Sequence, residues 1–485
     1  MESQGPKPSD EMTRLYRLAD AAAVAFGLLG LFVLLFGAFS VSLGVWTIRF
    51  TGADRLLFVA AAMAAVRHAA YPSDPLHRRL ARFARVPADS AEAAARTAVA
   101  SRVAVLIAGY FAVLTIGLAA EMNGFTVSAD PVLNLPARFD AGWYGTIALE
   151  GYSFQGRFDR QQNVAFFPAF PLLQRFAGYP FGAFATNVSD ERRLARVLWA
   201  GVVISIVAFA WAAVYLWRLA RDMIGTAFAF DAVALLAAYP FAVYFSAAYS
   251  ESLFLLGSVA AFYHFRRGEL ARASGWGLFT GLTRPNGCLL SVALAAQIVA
   301  EIIKPAHADA CGRSAGRAEN PRLTHWFAAA TPGIGMLLFS AYVKHLTGAW
   351  FGWARLHETW GRTFSGVTPL IQTYERMTGQ GLLNALQAGP YDALNSLAVL
   401  FALAMLWPVF RRAGIAGGVL VIVNILPPLL AGGVLSMGRV TSTTFPLFLA
   451  LAAIVPPRMV TALVTTFAVG QGLVAVIFFT WRPLF

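Results

Sequence analysis

The chain has 485 residues, 58% of them hydrophobic and 13% charged, with a mean hydropathy of +0.61. A soluble domain is nearer a quarter charged, and here runs of about 20 apolar residues recur, the length a helix needs to cross a bilayer. The net charge of +13 therefore reads as basic cytoplasmic loops rather than a nucleic-acid surface, and two cysteines, Cys288 and Cys311, cannot build a disulfide framework.

Residues 1–18 are polar and mixed in charge, and read as a disordered cytoplasmic tail. Ala21 to Thr47 is the first apolar run, long enough to stay as an anchor, and Leu56 to Ala70 is a shorter second one. Residues 71–102 carry Arg78, Arg79, Arg82, Arg85, Arg96 and Arg102, which places this loop in the cytoplasm by the positive-inside rule. The N-terminal pair of spans with its basic loop thus occupies 19–102, and the main membrane domain 103–485.

Val103 to Ala120 then exits, so the long loop from about 121 to 194 is extracytoplasmic, with room for amphipathic helices on the membrane surface. Further apolar runs follow at 194–217, 226–245, 252–265, 275–282 with 287–303, 327–346, 394–410, 415–434, 445–458 and 460–480. Pro285 and Gly287 break the pair around TRPNG, residues 283–287. A second outer loop covers about 347–393. The expected fold is an all-α polytopic membrane protein of about 11–13 transmembrane helices.

The first outer loop holds FDAGWYGTIALEGYSFQ, residues 139–155. A carboxylate among aromatic rings suits sugar handling, because the acid takes a hydroxyl proton and the rings stack on apolar sugar faces. Asp140 is favoured over Glu150, since Trp143 and Tyr144 follow it closely, with Tyr152 beyond. The threading puts Asp140, the turn Tyr249–Glu251, the turn at Arg284, the loop Trp353–Arg362 and Arg439 on one membrane face. Arg284 and Arg439 suit an anionic leaving group, since guanidinium donates paired hydrogen bonds and stays charged. Glu251 would orient an arginine or a sugar hydroxyl, Arg138 is a third anion ligand, and His357 lies between Arg355 and Arg362. No metal-ligand spacing, DxD, phosphate-binding glycine loop or dinucleotide fingerprint is present, so no cofactor or divalent metal is expected.

Six stretches together carry a resemblance: FDAGWYGTIALEGY (139–152), NVAFFPAFPLL (163–173), YPFAVYFSAAYSESLF (239–254), GLTRPNG (281–287), WGR (360–362) and SMGRVTSTTFPLF (436–448). In this order they resemble the PIG-V, GPI mannosyltransferase II-like family of GT-C glycosyltransferases and its prokaryotic members. The resemblance implies a polyprenyl- or dolichyl-phosphate mannose donor, an outward-facing site and inversion at the anomeric carbon. It maps the family's loop aspartate onto Asp140, and its YSES and Arg–Asn elements onto Tyr249–Ser252 and Arg284–Asn286. Phe139 and Val440 depart from the pattern, where tryptophan and another aromatic are typical.

The expected activity is transfer of a sugar, mannose by resemblance, from the lipid phosphate to a lipid, glycan or protein acceptor. The expected place is a bacterial plasma membrane, with the site outside. The alternatives are a GT-C enzyme for another lipid-linked sugar and a transporter of a lipid-linked sugar, since carboxylates and arginines at broken helices also mark transport paths.

Overall fold

The fold is that of a computed structural model, which describes residues 10–36, 38–43, 46–72, 89–119, 125–303 and 323–484. The basic run Arg78–Arg85 and Cys311 lie outside the described residues. The chain divides into two compact units, one of residues 1–87 and 178–193, the other of residues 88–177 and 194–485.

In the first unit, helix α1 (Asp10–Phe36) packs along α2 (Ala53–Ala70). Arg67 and Asp20 form a buried ion pair at 2.8 Å between them. Residues 10–18, expected as disordered tail, are the first turns of α1. The expected span Ala21–Thr47 stops at Phe36, because the pattern beyond it changes period. FSVSL and WTIRF alternate apolar and polar residues, the signature of strands. They form an antiparallel hairpin of β1 (Phe39–Leu43) and β2 (Trp46–Phe50), with Phe39 opposite Phe50.

The second unit opens with α3 (Ala91–Ile116), whose N-cap Ser90 accepts a hydrogen bond from the Ala93 amide at 3.0 Å. The unit therefore begins near residue 88 rather than 103, since the stretch holding Arg96 and Arg102 is helix and not loop. Arg102 is fully buried. Its guanidinium donates to the carbonyls of Ala237, at 2.5 Å, and Ala242. The carbonyls freed where a helix breaks need donors, and Arg102 supplies them.

The first long loop folds into α4 (Pro131–Asn134), α5 (Ala141–Glu150), a short 3-10 turn (Asn163–Ala165) and α6 (Ala169–Gly178). Then come α7 (Asp190–Ile224), α8 (Thr226–Ala238), a 3-10 segment (Pro240–Ser246), α9 (Glu251–Arg266) and α10 (Leu270–Gly281). The expected break at TRPNG is a 3-10 turn (Pro285–Leu289) leading into α11 (Leu290–Ile303), followed by α12 (Leu323–Thr347). The second long loop forms α13 (Gly352–Leu356), a 3-10 turn (His357–Trp360), α14 (Thr368–Gln380) and α15 (Leu382–Ala388). The chain ends with α16 (Pro390–Gly432), α17 (Met437–Thr443), α18 (Pro446–Ile454) and α19 (Pro457–Phe479).

This is an all-α polytopic membrane protein. Among the described residues six helical stretches are long and apolar enough to cross a bilayer, or eight if two sharply bent pairs each count as one span. The bent pairs are α8 with the segment after Tyr239, at 80°, and α17 with α18, at 74°. The expected larger number also counted α9 and the short arm in α10, which have 16 and 12 residues. Its separation of 394–410 from 415–434 agrees with α16, two helical stretches that meet at a non-helical break at Gly414, φ 74°. Gly281 and Gly335 bring α10 and α12 into backbone contact, because a Cβ at Gly281 would strike the Pro332 carbonyl. That close packing fixes the turn carrying Arg284.

Candidate active site

Four non-adjacent segments meet through one arginine. Arg439, on α17, donates through Nη1 to Asp140 Oδ2 at 2.5 Å and through Nε to Glu251 Oε1. The same Glu251 oxygen accepts from Nη1 of Arg284. Asp140 stands at the N-cap of α5, Glu251 at the first position of α9 and Arg284 just before the 3-10 turn that opens α11. Each charge thus sits at a helix end or break, where backbone polarity is incompletely satisfied and a charged group is cheapest to hold in an apolar setting.

The backbone is strained next to two of these residues. Phe139 precedes Asp140 at φ 45°, and Ser436 precedes α17 at φ 59°. A left-handed conformation in a bulky residue needs tertiary packing to hold it. For Phe139 that packing is Trp481, with ring centroids 4.4 Å apart, and Phe478. For α17 it includes Asn395, whose Oδ1 accepts from the Gly438 amide at 2.7 Å.

The carboxylates differ in access. The Glu251 side chain has no exposed surface, whereas that of Asp140 is 17% exposed. Glu251 Oε2 is buried without a hydrogen-bond partner among the described residues. Tyr249 lies under Arg439, 4.7 Å from guanidinium carbon to ring centroid, and Tyr244 at 5.6 Å. The Tyr249 hydroxyl receives the Asp140 amide at 3.0 Å and donates to the Arg138 carbonyl at 3.2 Å, fixing the start of α5. Tyr144 shares a hydrogen bond with Ser250 at 2.8 Å, and burial, with Glu251 nearby, pushes its hydroxyl up to about 12.

The second loop brings two further groups. Arg362 Nη2 donates to the Leu435 carbonyl at 3.4 Å and has no carboxylate partner among the described residues. Burial, with Arg439 and Arg284 adding, pulls it down to about 10, and it stays charged. His357 is driven down to about 4 by burial and then by Arg362, Arg284 and Arg439, so it is neutral. The cluster therefore sets three guanidiniums against two carboxylates, one positive charge in surplus.

Three expected ligands point elsewhere. Arg138 is not presented to the site: its guanidinium donates to the carbonyls of Phe479, Asn134 and Ala137, each at 2.7 Å. It ties the first loop to the end of α19 instead. Tyr152 donates its hydroxyl to the Phe166 carbonyl at 2.8 Å and packs on Phe339 and Tyr342. Asn286 holds Asn424 of α16 at 2.8 Å. Trp143 does line the site's approach, stacked on Phe166 with centroids 5.9 Å apart.

Sequence reasoning missed Tyr244, Asn395 and Asn424. Two carried a usable signal, since Asn395 and Asn424 are polar residues inside the apolar run of α16, and intramembrane polar groups are costly and usually partnered. Among the described residues no three His, Cys, Asp or Glu side chains converge as a metal site would require.

The sequence model of one family, described as Mannosyltransferase (PIG-V), matches residues 126–304. The match spans Asp140, Tyr249, Glu251, Arg284 and Asn286, most of the geometry above. Over this segment, which is less than half of the chain, the protein is similar to the PIG-V mannosyltransferases, and its long apolar helices are those of a membrane protein. Arg439, Arg362 and His357 lie beyond the matched residues and reach the site only through the fold. A comparison with curated proteins found no match.

Proposed function

We propose that the protein transfers mannose from a polyprenyl-phosphate donor to an acceptor hydroxyl at the extracytoplasmic face, with inversion and with Asp140 as general base. The observation that carries this reading is the charge of the buried cluster. A polyprenyl-phosphate sugar is a phosphodiester with one negative charge, which matches the surplus on Arg284, Arg362 and Arg439 against Asp140 and Glu251. A nucleoside diphosphate sugar would bring two and leave a buried anion unpaired, which is costly.

The match holds through the reaction. The acceptor oxygen attacks the anomeric carbon opposite the phosphate, the carbon–oxygen bond to phosphate breaks, and its electron pair leaves on the phosphate oxygen. The acceptor proton passes to Asp140, which becomes neutral as the leaving phosphate gains its second charge. Three guanidiniums then face Glu251 and a dianion, and the site is neutral again. Arginines aimed at developing charge in a poorly solvated site stabilise the transition state without reorganising, so a divalent metal has no required part.

Asp140 rather than Glu251 is the base because only Asp140 has exposed surface, while Glu251 is clamped between two arginines. The outward placement is supported by α9. Glu251 and Arg266 are its first and last residues, about 22 Å apart at helical rise. The Arg266–Arg267 end is the cytoplasmic one by the positive-inside rule.

The test is purified protein in detergent given short-chain polyprenyl-phosphomannose or GDP-mannose. Turnover is expected with the first alone. Turnover with GDP-mannose, free of contaminating synthase, overturns the reading.

A further inference from the structure

The arginines account for an anion, but the loop that carries Arg362 also carries groups an anion does not need. His357 Nε2 is buried and, among the described residues, has no hydrogen-bond partner. The ring is neutral among three guanidiniums, so Nε2 offers a single hydrogen bond, as donor or acceptor according to tautomer. Phosphate oxygens beside three arginines have better donors. A hydroxyl, able to give or accept, fits a lone neutral nitrogen.

Three residues on, Trp360 meets Trp143 edge-on with centroids 6.0 Å apart, and Phe166 at 5.8 Å. Trp143 and Phe166 are stacked, and the His357 ring is 6.2 Å from Trp360. All four side chains are only partly buried. They come from α5, from the stretch before α6 and from the second loop, so the wall exists only when both loops are folded. Trp143 is one helical turn beyond Asp140, which sets the wall beside the base. A pyranose presents an apolar C–H face suited to aromatic rings and a rim of hydroxyls suited to a polar neighbour.

We propose that Trp143, Phe166 and Trp360 form the platform for the sugar being transferred, with His357 Nε2 bonded to one of its hydroxyls and so setting sugar selectivity. The proposal rests on the donor-phosphate reading of the arginines, because the sugar is joined to that phosphate and His357 lies in the field of the same three side chains.

The experiment is calorimetric binding to the full-length protein in detergent. The probes are citronellyl phosphate, citronellyl-phosphomannose, citronellyl-phosphoglucose and octyl mannoside. Wild type should bind the phosphomannose more tightly than either the bare phosphate or the phosphoglucose. His357→Ala should lose about tenfold in phosphomannose affinity, the scale of one buried hydrogen bond, and with it the preference for mannose, while citronellyl phosphate is unaffected. Trp360→Ala should weaken both phosphosugars alike, and His357→Gln, which keeps a polar atom, should recover part of the loss. Melting curves confirm that each variant is folded. Equal weakening of citronellyl phosphate by His357→Ala overturns the proposal, as does an effect confined to octyl mannoside, which would make the wall an acceptor subsite. If Arg439→Lys leaves citronellyl phosphate affinity unchanged, the donor-phosphate reading itself fails, and with it the assignment of this sugar to the donor.

Discussion

The two ends of α9 carry the same set of side chains in opposite circumstances. At the N-terminal end stand Asp140, Glu251, Arg284, Arg362, Arg439 and His357. At the other, Arg221 and Arg267 bond Asp222, while Arg267, Arg272 and His264 bond Glu269. Each cluster has two carboxylates, three guanidiniums and one imidazole, and Arg266 stands exposed beside the second. At the second end the arginine side chains are 41–69% exposed, and the surplus charge is left to water. His264 there is bonded on both ring nitrogens, to Tyr215 and Glu269. At the first end Glu251 is unexposed, Arg439 is 10% exposed, and among the described residues both Glu251 Oε2 and His357 Nε2 lack partners. Exposed ion pairs add little and are screened, whereas a buried surplus charge and buried orphan atoms are expensive. The comparison teaches that the inventory of residues does not mark a site. Unsatisfied charge out of reach of water does.

The largest expected break in this symmetry is Asp140→Asn. The amide keeps the volume and can still hydrogen-bond Arg439, but it cannot take the acceptor's proton. Loss of a positioned base costs roughly 10²–10⁴-fold in rate, with melting close to wild type. A folded variant with more than about a tenth of wild-type turnover would remove Asp140 as the base.

Next comes Arg439→Lys, which keeps the charge and loses the fork that reaches Asp140 and Glu251 together. Charged hydrogen bonds are worth about 1.5–3 kcal/mol each, so donor affinity should fall by about tenfold or more along with rate. Unchanged donor affinity in a titration would separate Arg439 from the phosphate.

A third effect is on stability. His357 ordinarily titrates near 6.5 and in the fold at about 4. Above pH 6.5 it is neutral folded or unfolded. As pH falls below that, the unfolded chain takes up a proton the folded chain refuses, so stability drops until the folded ring protonates near pH 4. Melting temperatures between pH 7 and pH 4 should therefore decline more steeply in wild type than in His357→Gln. Parallel curves would mean the ring is not held in that cationic setting.

The smallest effect belongs to the exposed end. Glu269→Gln removes a carboxylate accepting from Arg267, Arg272 and His264, yet it should cost little stability, because exposed ion pairs are screened, and leave turnover unaltered. A large loss of activity there would show that the two ends are coupled through α9.

Much of this was legible in the chain. Apolar runs gave most of the helices, and Pro285 with Gly287 marked the break that holds Arg284. One misreading has a physical cause: hydropathy averages over a window, so it carried the first helix through FSVSL, whose alternation is that of a strand. The division of α16 near Arg411 and Arg412 was legible, since the helix breaks at Gly414 just beyond them. Arg102 and Arg138 were read by charge as a loop residue and an anion ligand. Both are buried and bound to main-chain carbonyls freed at breaks and ends of helices, and side-chain type does not reveal which acceptors lie nearby.

By itself the sequence determined a helical membrane protein, the residues able to do sugar chemistry and the family motifs that order them, because these follow from composition, period and spacing along one chain. Only the tertiary structure decided that Arg439 bonds both carboxylates, that Arg362 arrives with no ion-pair partner among the described residues, and that His357 stands neutral beside Trp360. Pairing depends on distances between segments up to 299 residues apart. Whether a charge is shared, surplus or screened depends on burial, which no local stretch of sequence specifies.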